Sequence, residues 1–482
     1  MKHFNRFTAA LLFAVLTAQT VGCGSDKPID GTQTPSTDTT TVAAAVGYAF
    51  PSLNLEGGKF SILNSTNTYG QYTTLDLEEA TGDILDDAVY NRNRAMEERF
   101  HFTFDITEEA IETAHKTALS TIMAGDDVWD FMYIQALNCR TLIPDGCLAE
   151  LSSIKELQLD QPWWEATTCE NARIGENREL FIAANYFSLM GFDATLCMFI
   201  NETTLENLNV EAPYDLVREG KWTFDKMCEY AALGANLNGD SGFNRTGDGN
   251  ATYGVVTWPT GILGLMSGME AYYSETGSDG IPHITAGSEH FLEVADRLAK
   301  NLTSVAGEFI YPEGDLWHRE FFKAGRALMY IGQICAATQY RDMADNYGIL
   351  PMPKYDEQQE NYINLISNTQ FVLCMPVTNV NVAESAQLMD AISYVSFTDV
   401  LPVYYEKNVA QKGLRNEDSI EMLDIIRETR YHNVAEVYGW TIALRNEINN
   451  KILSGDGSIA SIVASHLPAA EAAIETILKQ IS

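Results

Sequence analysis

The sequence predicts an α/β protein built of two lobes, each a mainly parallel sheet flanked by helices. Short apolar strands alternate with amphipathic helices along most of the chain, the pattern of a doubly wound sheet. About 425 residues follow a polar N-terminal stretch, enough for two large lobes. No apolar run beyond the N-terminus approaches membrane-spanning length.

The elements follow in order. KFSIL, from Lys59 to Leu63, alternates and reads as the first strand. In ILDDAVYNRNRAMEERF, the positions Ile84, Val89, Ala95, Met96 and Phe100 fall on roughly one helical face. FTFDI is a second strand, and AIETAHKTALSTIMAG a helix closed by Gly125. WDFMYI is a third, buried strand, followed by GCLAELSSI as a loop and short segment. ELFIAANYFSLM and DATLCMFIN give two apolar strands in close succession. In PYDLVREGKWTFDKMCEYAALGAN, Thr223 is an N-cap and Trp222 a staple before it. Helical patterns around FLEVADRLAKNL and FFKAGRA lead to a strand from Ala327 to Ile331. A second strand, Tyr347 to Leu350, stops at Pro351 and Pro353. FVLCMPVT is strand-like, and AESAQLMDAISYVSF, SIEMLDIIRETRYH and PAAEAAIETILKQI read as helices. No internal repeat is evident.

The N-terminus carries its own message. Lys2 and Arg6 form a positive region before the apolar run TAALLFAVLTA, which ends in TVGC with Gly22 before Cys23. The pattern resembles a lipoprotein signal, which implies cleavage before Cys23 and acylation of its thiol as a stable membrane anchor. The stretch GSDKPIDGTQTPSTDTTTVAAAVG lacks large apolar groups and reads as a flexible tether, with folding expected from about Gly57.

The balance of 31 basic against 66 acidic residues gives a formal charge of −35, a field that repels nucleic acid and disfavours anionic ligands. Of eight cysteines, seven remain once Cys23 is set aside, an odd number that cannot all pair within the chain. Cys139 and Cys147 flank a short loop and are the pair local spacing suggests; buried free thiols are the alternative. No H-E-x-x-H, G-x-S-x-G or Walker motif occurs, and the histidines lie apart from any cysteine pair at zinc spacing. NLNGDSGFNRTGDGN is rich in oxygen donors but lacks the Gly and terminal Glu of a calcium loop. Neither metal, cofactor nor catalysis is therefore expected.

The order F-x-x-G-[KR]-x-A/L-M, about twenty residues, then Y-G-[IV]-x-P-x-P-K occupies FFKAGRALM to YGILPMPK. It resembles the extracellular solute-binding proteins of carbohydrate ABC importers. The extension ILPMPKYDEQQENY resembles their longer, Gram-positive-type lipoprotein members, and GKWTFDKM their second-lobe helix start. The resemblance implies a two-lobed, type II periplasmic-binding-protein-like fold that closes about a hinge. The chain then divides into a signal peptide (1–22), a tether (23–56), an N-terminal lobe (57–185 with 325–362) and a C-terminal lobe (186–324 with 363–482).

It also implies a function. A membrane-anchored monomer on the outer face of the cell captures a sugar, in this family an oligosaccharide, and passes it to permease subunits. Nucleic acid is no partner, and a non-sugar solute or a secreted carbohydrate-active enzyme are the rival readings. Sugars present apolar faces ringed by hydroxyls, which aromatic platforms edged by planar polar groups recognise. GWTIALRNEINNKILSGDGS is similar to a maltodextrin-binder stretch whose aromatic stacks on a glucosyl ring, which points to Trp440. VTWPTGILGLMSGM is similar to another such segment and points to Trp258. Trp163 and Trp164 of DQPWW would pack under the hinge, and Trp317 stands before the FFKAG helix. Strand ends add polar candidates: Asn64 and Asn67, Gln135 and Asn138, Tyr186 at the first crossing, and Gln333. At the last point maltodextrin binders carry an aromatic and this chain has GQIC, a departure bearing on the sugar's identity.

Overall fold

A computed structural model describes residues 47–244, 246, 248–302, 307–310, 312, 318–405, 416–454 and 458–481. Cys23 and Trp317 lie outside the described residues, as do the signal and most of the tether. Thirteen strands are named here in chain order. β1 (Gly58–Thr66), β2 (Phe102–Ala110), β3 (Phe131–Gln135) and β12 (Phe371–Cys374) form the first sheet, in the order β12-β3-β1-β2. β1 runs parallel to β2, from Gly58 opposite Phe102 to Thr66 opposite Ala110, and parallel to β3. β12 pairs antiparallel with β3.

The second sheet has the order β10-β4-β9-β5-β8. It comprises β4 (Leu196–Asn201), β5 (Tyr253–Val256), β8 (Phe309–Ile310), β9 (Ala327–Gln333) and β10 (Tyr347–Leu350). β9, β5 and β8 are parallel, whereas β4 runs antiparallel between β9 and β10. A hairpin of β6 (Ser274–Thr276) and β7 (Pro282–Ile284) and a two-stranded pair of β11 (Asn364–Ile366) with β13 (Arg430–His432) complete the strands. Each sheet is sealed by its own apolar core.

These pairings redraw the expected lobes. Residues 325–362 were assigned to the N-terminal lobe, yet β9 and β10 hydrogen bond to β4 and β5. Conversely β12 and the helix Val382–Val395, assigned to the C-terminal lobe, complete the first sheet and its core. The sequence signals β9, β10 and β12 but not their partners, since fully buried strands look alike in either sheet. Folding also begins before Gly57. Tyr48, Phe50, Leu53 and Leu55 pack on the first core, and Arg99 lies 3.6 Å from the Phe50 ring centre.

The helix Ile84–Phe100 shows how local pattern meets packing. Asp83 caps it by accepting from Leu85 N–H, and His101 ends it in the left-handed region. The buried face is Leu85, Val89, Arg92, Asn93, Met96 and Phe100; Ile84 is 59% exposed and Ala95 exposed. Val89, Met96 and Phe100 lie on the expected face, whereas Ile84 and Ala95 fall off it because the stripe starts at Leu85. Arg92 is buried because it lies over Phe187 and donates to Leu75 O, fixing the loop behind β1. Thr223 caps the helix Phe224–Gly234, and Trp222, fully buried, donates to Pro351 O at 3.1 Å. Trp163 and Trp164 are also core: both indoles donate to Asp390, at 3.0 and 2.8 Å.

Candidate functional site

Parallel strands bring their C-terminal ends to one edge of each sheet, where loops and helix starts leave polar groups. In the first lobe, β1 ends at Thr66 and feeds a strap from Asn67 to Leu77, while β3 ends at Gln135 and turns into a short 3-10 helix (Ala136–Thr141). In the second, β9 ends at Gln333. Two crossings join the sheets beside these ends, residues 186–195 and 366–371. They run together, with Ser367 N–H donating to Ala194 O at 2.9 Å.

The strap lies across the junction. Asn67 donates to Gln71 Oε1 at 2.8 Å and accepts from Tyr69 N–H, which shapes the turn. Gln71 donates to Gln333 Oε1 at 3.0 Å and to Thr369 Oγ1 at 3.1 Å. Gln333 in turn donates to Thr369 Oγ1 at 3.0 Å. Gln71 and Gln333 are 7% and 2% exposed. Arg319 donates to Tyr69 O at 2.8 Å and to Gln339 Oε1 at 3.1 Å. Asp193, in the first crossing, accepts from Tyr72 N–H and Tyr404 O–H, and burial pushes its carboxyl up to about 6.

Gln135 and Asn138 stand beside this cluster. Asn138 donates to Gln135 Oε1 at 2.9 Å and to Ile111 O. Ala136 and Leu137 donate to the backbone of residues 370 and 368, on either side of Thr369. Trp258 approaches from the second lobe. Its indole donates to Ile331 O at 3.1 Å, two residues before Gln333, and its ring stacks on His318 with centres 5.0 Å apart and planes 6° from parallel. Burial, aided by neighbouring Arg319, lowers His318 to about 3, so the imidazole is neutral at ordinary pH.

The structure thus gathers Asn67, Gln135, Asn138, Gln333 and Trp258 around one junction and sends the other candidates elsewhere. Asn64 is buried and donates to Thr73 O, so it anchors the strap rather than facing the junction. Tyr186 lies at the hinge, its ring stacked 5.9 Å from Phe192, and burial pushes its phenol up to about 12. Trp440 is a packing residue instead of a platform. It is 6% exposed, its ring stacks 5.2 Å from Tyr438, and its indole donates to Ser274 Oγ at 3.0 Å. An aromatic beside an apolar helix reads the same in sequence whether its face meets a ligand or another ring.

Gln71, Thr369, Arg319 and Asp193 were missed. One sequence signal existed at Gly70, which adopts φ +89°; a Cβ there would lie 2.1 Å from Gln339 Nε2. The expected hinge also holds a charged cluster that the sequence does not mark. Glu165 there accepts from Arg430, Thr168 and Gln370, and a Cβ on Gly191 would lie 2.8 Å from Glu165 Oε1 and 2.9 Å from Gln370 Nε2. His432 is buried beside it, lowered to about 4 by that burial.

The remaining motifs are used structurally. In the loop after the helix Phe224–Gly234, Asp240 accepts from Asn250 and Ala251 N–H groups, and Asn244 Oδ1 accepts from Thr246. Among the described residues no cluster of three or more His, Cys, Asp or Glu could hold a metal. Cys139 and Cys147 are buried free thiols that donate to Gln135 O and Asp145 O. Among the described residues no helix is long and apolar enough to cross a membrane.

No protein-family model matches the chain, and no curated protein does. Solved structures do. The GacH receptor of Streptomyces glaucescens, solved unliganded and with acarbose, superposes with a TM-score of 0.57 at 14% identity, over 87% of this chain and 99% of that one. A cyclo/maltodextrin-binding protein complexed with maltotetraose gives 0.57 at 13% identity, over 87% and 97%. An ABC substrate-binding protein from Listeria monocytogenes in complex with cycloalternan gives 0.54 at 12%, over 88% and 99%. The chain has the two-lobed fold of substrate-binding proteins.

Proposed function

We propose that the chain is the solute-binding component of a carbohydrate ABC importer, capturing a neutral sugar at the junction of its lobes. The observation that carries this reading is the chemistry of the gathered groups. Gln71, Gln135, Asn138, Gln333 and Thr369 are uncharged amides and a hydroxyl drawn from both lobes and the crossing between them. Planar amides both donate and accept, which matches hydroxyls better than it matches a carboxylate or an ammonium group. Trp258, stacked on a neutral imidazole, supplies an aromatic surface beside them. The fold relatives, solved with acarbose, maltotetraose and cycloalternan, support the same reading.

In this reading lobe closure around the sugar creates the state that permease subunits recognise. The protein binds without turnover, acts as a monomer, and is held outside the cytoplasmic membrane by acylated Cys23. A thermal-shift screen tests the ligand class. Neutral oligosaccharides should raise the melting temperature, since ligand at 100 times its Kd adds about 2.7 kcal/mol. Uronic acids, amino sugars and peptides form the opposing arms, and a response confined to them would overturn the neutral-sugar reading. A day's incubation with the best binder, followed by sugar analysis, separates binding from hydrolysis. Cell fractionation with Cys23→Ala tests the anchor: wild-type protein already free in the medium would remove it.

A further inference from the structure

We propose that strap residues 67–77 form a latch that fastens the first lobe to the second, with Gln71 as its bolt. The strap is divided in two by its partners. Its later part belongs to the first lobe: Asn64 holds Thr73 O, and both Arg92 and Asn93 hold Leu75 O, at 2.8 and 2.9 Å. Its earlier part reaches away from that lobe. Gln71 bonds Gln333 and Thr369, Tyr69 O accepts from Arg319, and Tyr72 N–H donates to Asp193. Gly70 makes this reach possible, because its φ of +89° is a backbone conformation that other residues rarely adopt.

The strap therefore travels with the first lobe and grips the second at its tip. The grip is of a particular chemical kind. The Gln71, Gln333 and Thr369 contacts join neutral groups, and such bonds exchange for bonds to water or a hydroxyl at a modest net cost. A latch of this type holds the lobes together yet releases readily. The buried ion pair of Glu165 and Arg430 at the hinge behaves differently, because parting it leaves uncompensated charge.

The latch stands on lobe geometry and not on the carbohydrate reading, and its test uses no sugar. Gln71→Met and Gln333→Met keep side-chain volume and remove the hydrogen bonds. On the whole protein, each should raise the radius of gyration in small-angle scattering. Each should also speed amide exchange in residues 67–77 and 366–371 by on the order of tenfold, the factor expected from losing one or two such bonds. The melting midpoint should move by less than about 2 °C, since both cores stay intact. The double variant should do no more than Gln71→Met alone, because that change already removes every bond from Gln71 to Gln333 and Thr369. Unchanged scattering and exchange in both single variants would overturn the latch, and so would a double variant whose effect exceeds that of Gln71→Met. Thr369→Val leaves the strap's sequence unchanged, removes the bond from Gln71 to Thr369, and should move both readouts in the same direction if Gln71→Met fails to fold.

Discussion

The N-terminal arm and the strap behind β1 are both irregular segments that dock by polar contacts, and they dock in opposite ways. The arm ends on a charge. Tyr48 donates to Asp390 at 3.0 Å and stacks on Tyr394 with ring centres 4.6 Å apart. Asp390, 1% exposed, also accepts from Gln158 N–H and side chain and from both indoles of Trp163 and Trp164. All five bonds come from the first lobe and its arm, so they reinforce one body. The strap connects two bodies, Gln71 meeting a neutral amide and a hydroxyl while Tyr69 and Tyr72 beside it meet Arg319 and Asp193. A fully hydrogen-bonded buried charge is costly to disturb, whereas neutral amides trade partners easily. The arm stays within one body, whereas Gln71 of the strap can trade its partners in another.

The largest effect expected from this contrast is at Asp390. Asp390→Ala removes the acceptor for five donors and strands two buried indole N–H groups, at about 3–5 kcal/mol of stability by analogy with broken buried charge networks. Urea unfolding measures it. A loss below about 1 kcal/mol would show that water replaces the carboxylate and that the arm's docking is incidental. Because the node lies in one lobe, amide exchange in the strap should stay at its wild-type rate.

The two tryptophans sharpen the same comparison. Trp440 stacks on Tyr438, whose hydroxyl donates to Ala172 O, so its surroundings are all protein. Trp440→Ala should cost about 3–5 kcal/mol of stability, as for other large-to-small changes in a core. Binding of the best oligosaccharide from the screen, measured where the variant is still folded, should be nearly unchanged. Trp258→Ala should do the reverse and weaken binding by about 2 kcal/mol or more, the loss expected of an aromatic hot spot. Calorimetric titration beside a melting curve separates the two residues, and an exchange of roles between them would refute the assignment.

How much of this was readable beforehand follows from the reach of each signal. Thr223 as a cap and the strands at Lys59–Leu63, Ala327–Ile331 and Tyr347–Leu350 depend on neighbours within a few residues, and sequence carries that information. Lobe membership depends on which strand lies alongside, and Ala327–Ile331 carries no mark that its partners are Leu196–Asn201 and Tyr253–Val256. Gln333 and Gln135 were accessible because they end strands. Gln71 was not, because its partner stands 262 positions away. Asp390 was hidden for the same reason, since a single acid in a helix reads as solvent-facing until Trp163 and Trp164 are placed beside it.

A smaller effect is expected from acid. Asp193 joins the strap to the crossing, and burial raises its carboxyl from the ordinary 3.8 to about 6. A raised folded pKa means the folded state holds the proton more tightly. Its contribution therefore favours folding at low pH and is lost as pH rises from about 4 to about 6. His432, lowered from 6.5 to about 4, works in the opposite direction over an overlapping range. Only the difference between wild type and Asp193→Asn isolates the carboxyl. Relative to wild type, the variant should gain about 1–3 kcal/mol of stability between pH 4 and pH 6.5, the equivalent of one to two pH units. A difference that stays flat across that range would mean the carboxylate is compensated by its two donors.

The smallest effect belongs to the arm's hydroxyl. In Tyr48→Phe the ring can keep its stack on Tyr394 and its edge contact with Trp163, centres 5.2 Å apart, while Asp390 keeps four donors. The cost should then be that of one hydrogen bond to a charged acceptor, about 1.5 kcal/mol. Deleting residues 47–56 should cost more, because Phe50, Leu53 and Leu55 also leave the first core. Melting curves on the two variants decide whether the arm is held by apolar burial with a polar guide or by the hydroxyl alone. Equal losses would put the whole of the docking energy on the Tyr48–Asp390 bond, and the apolar contacts of Phe50, Leu53 and Leu55 would then follow from docking and not drive it.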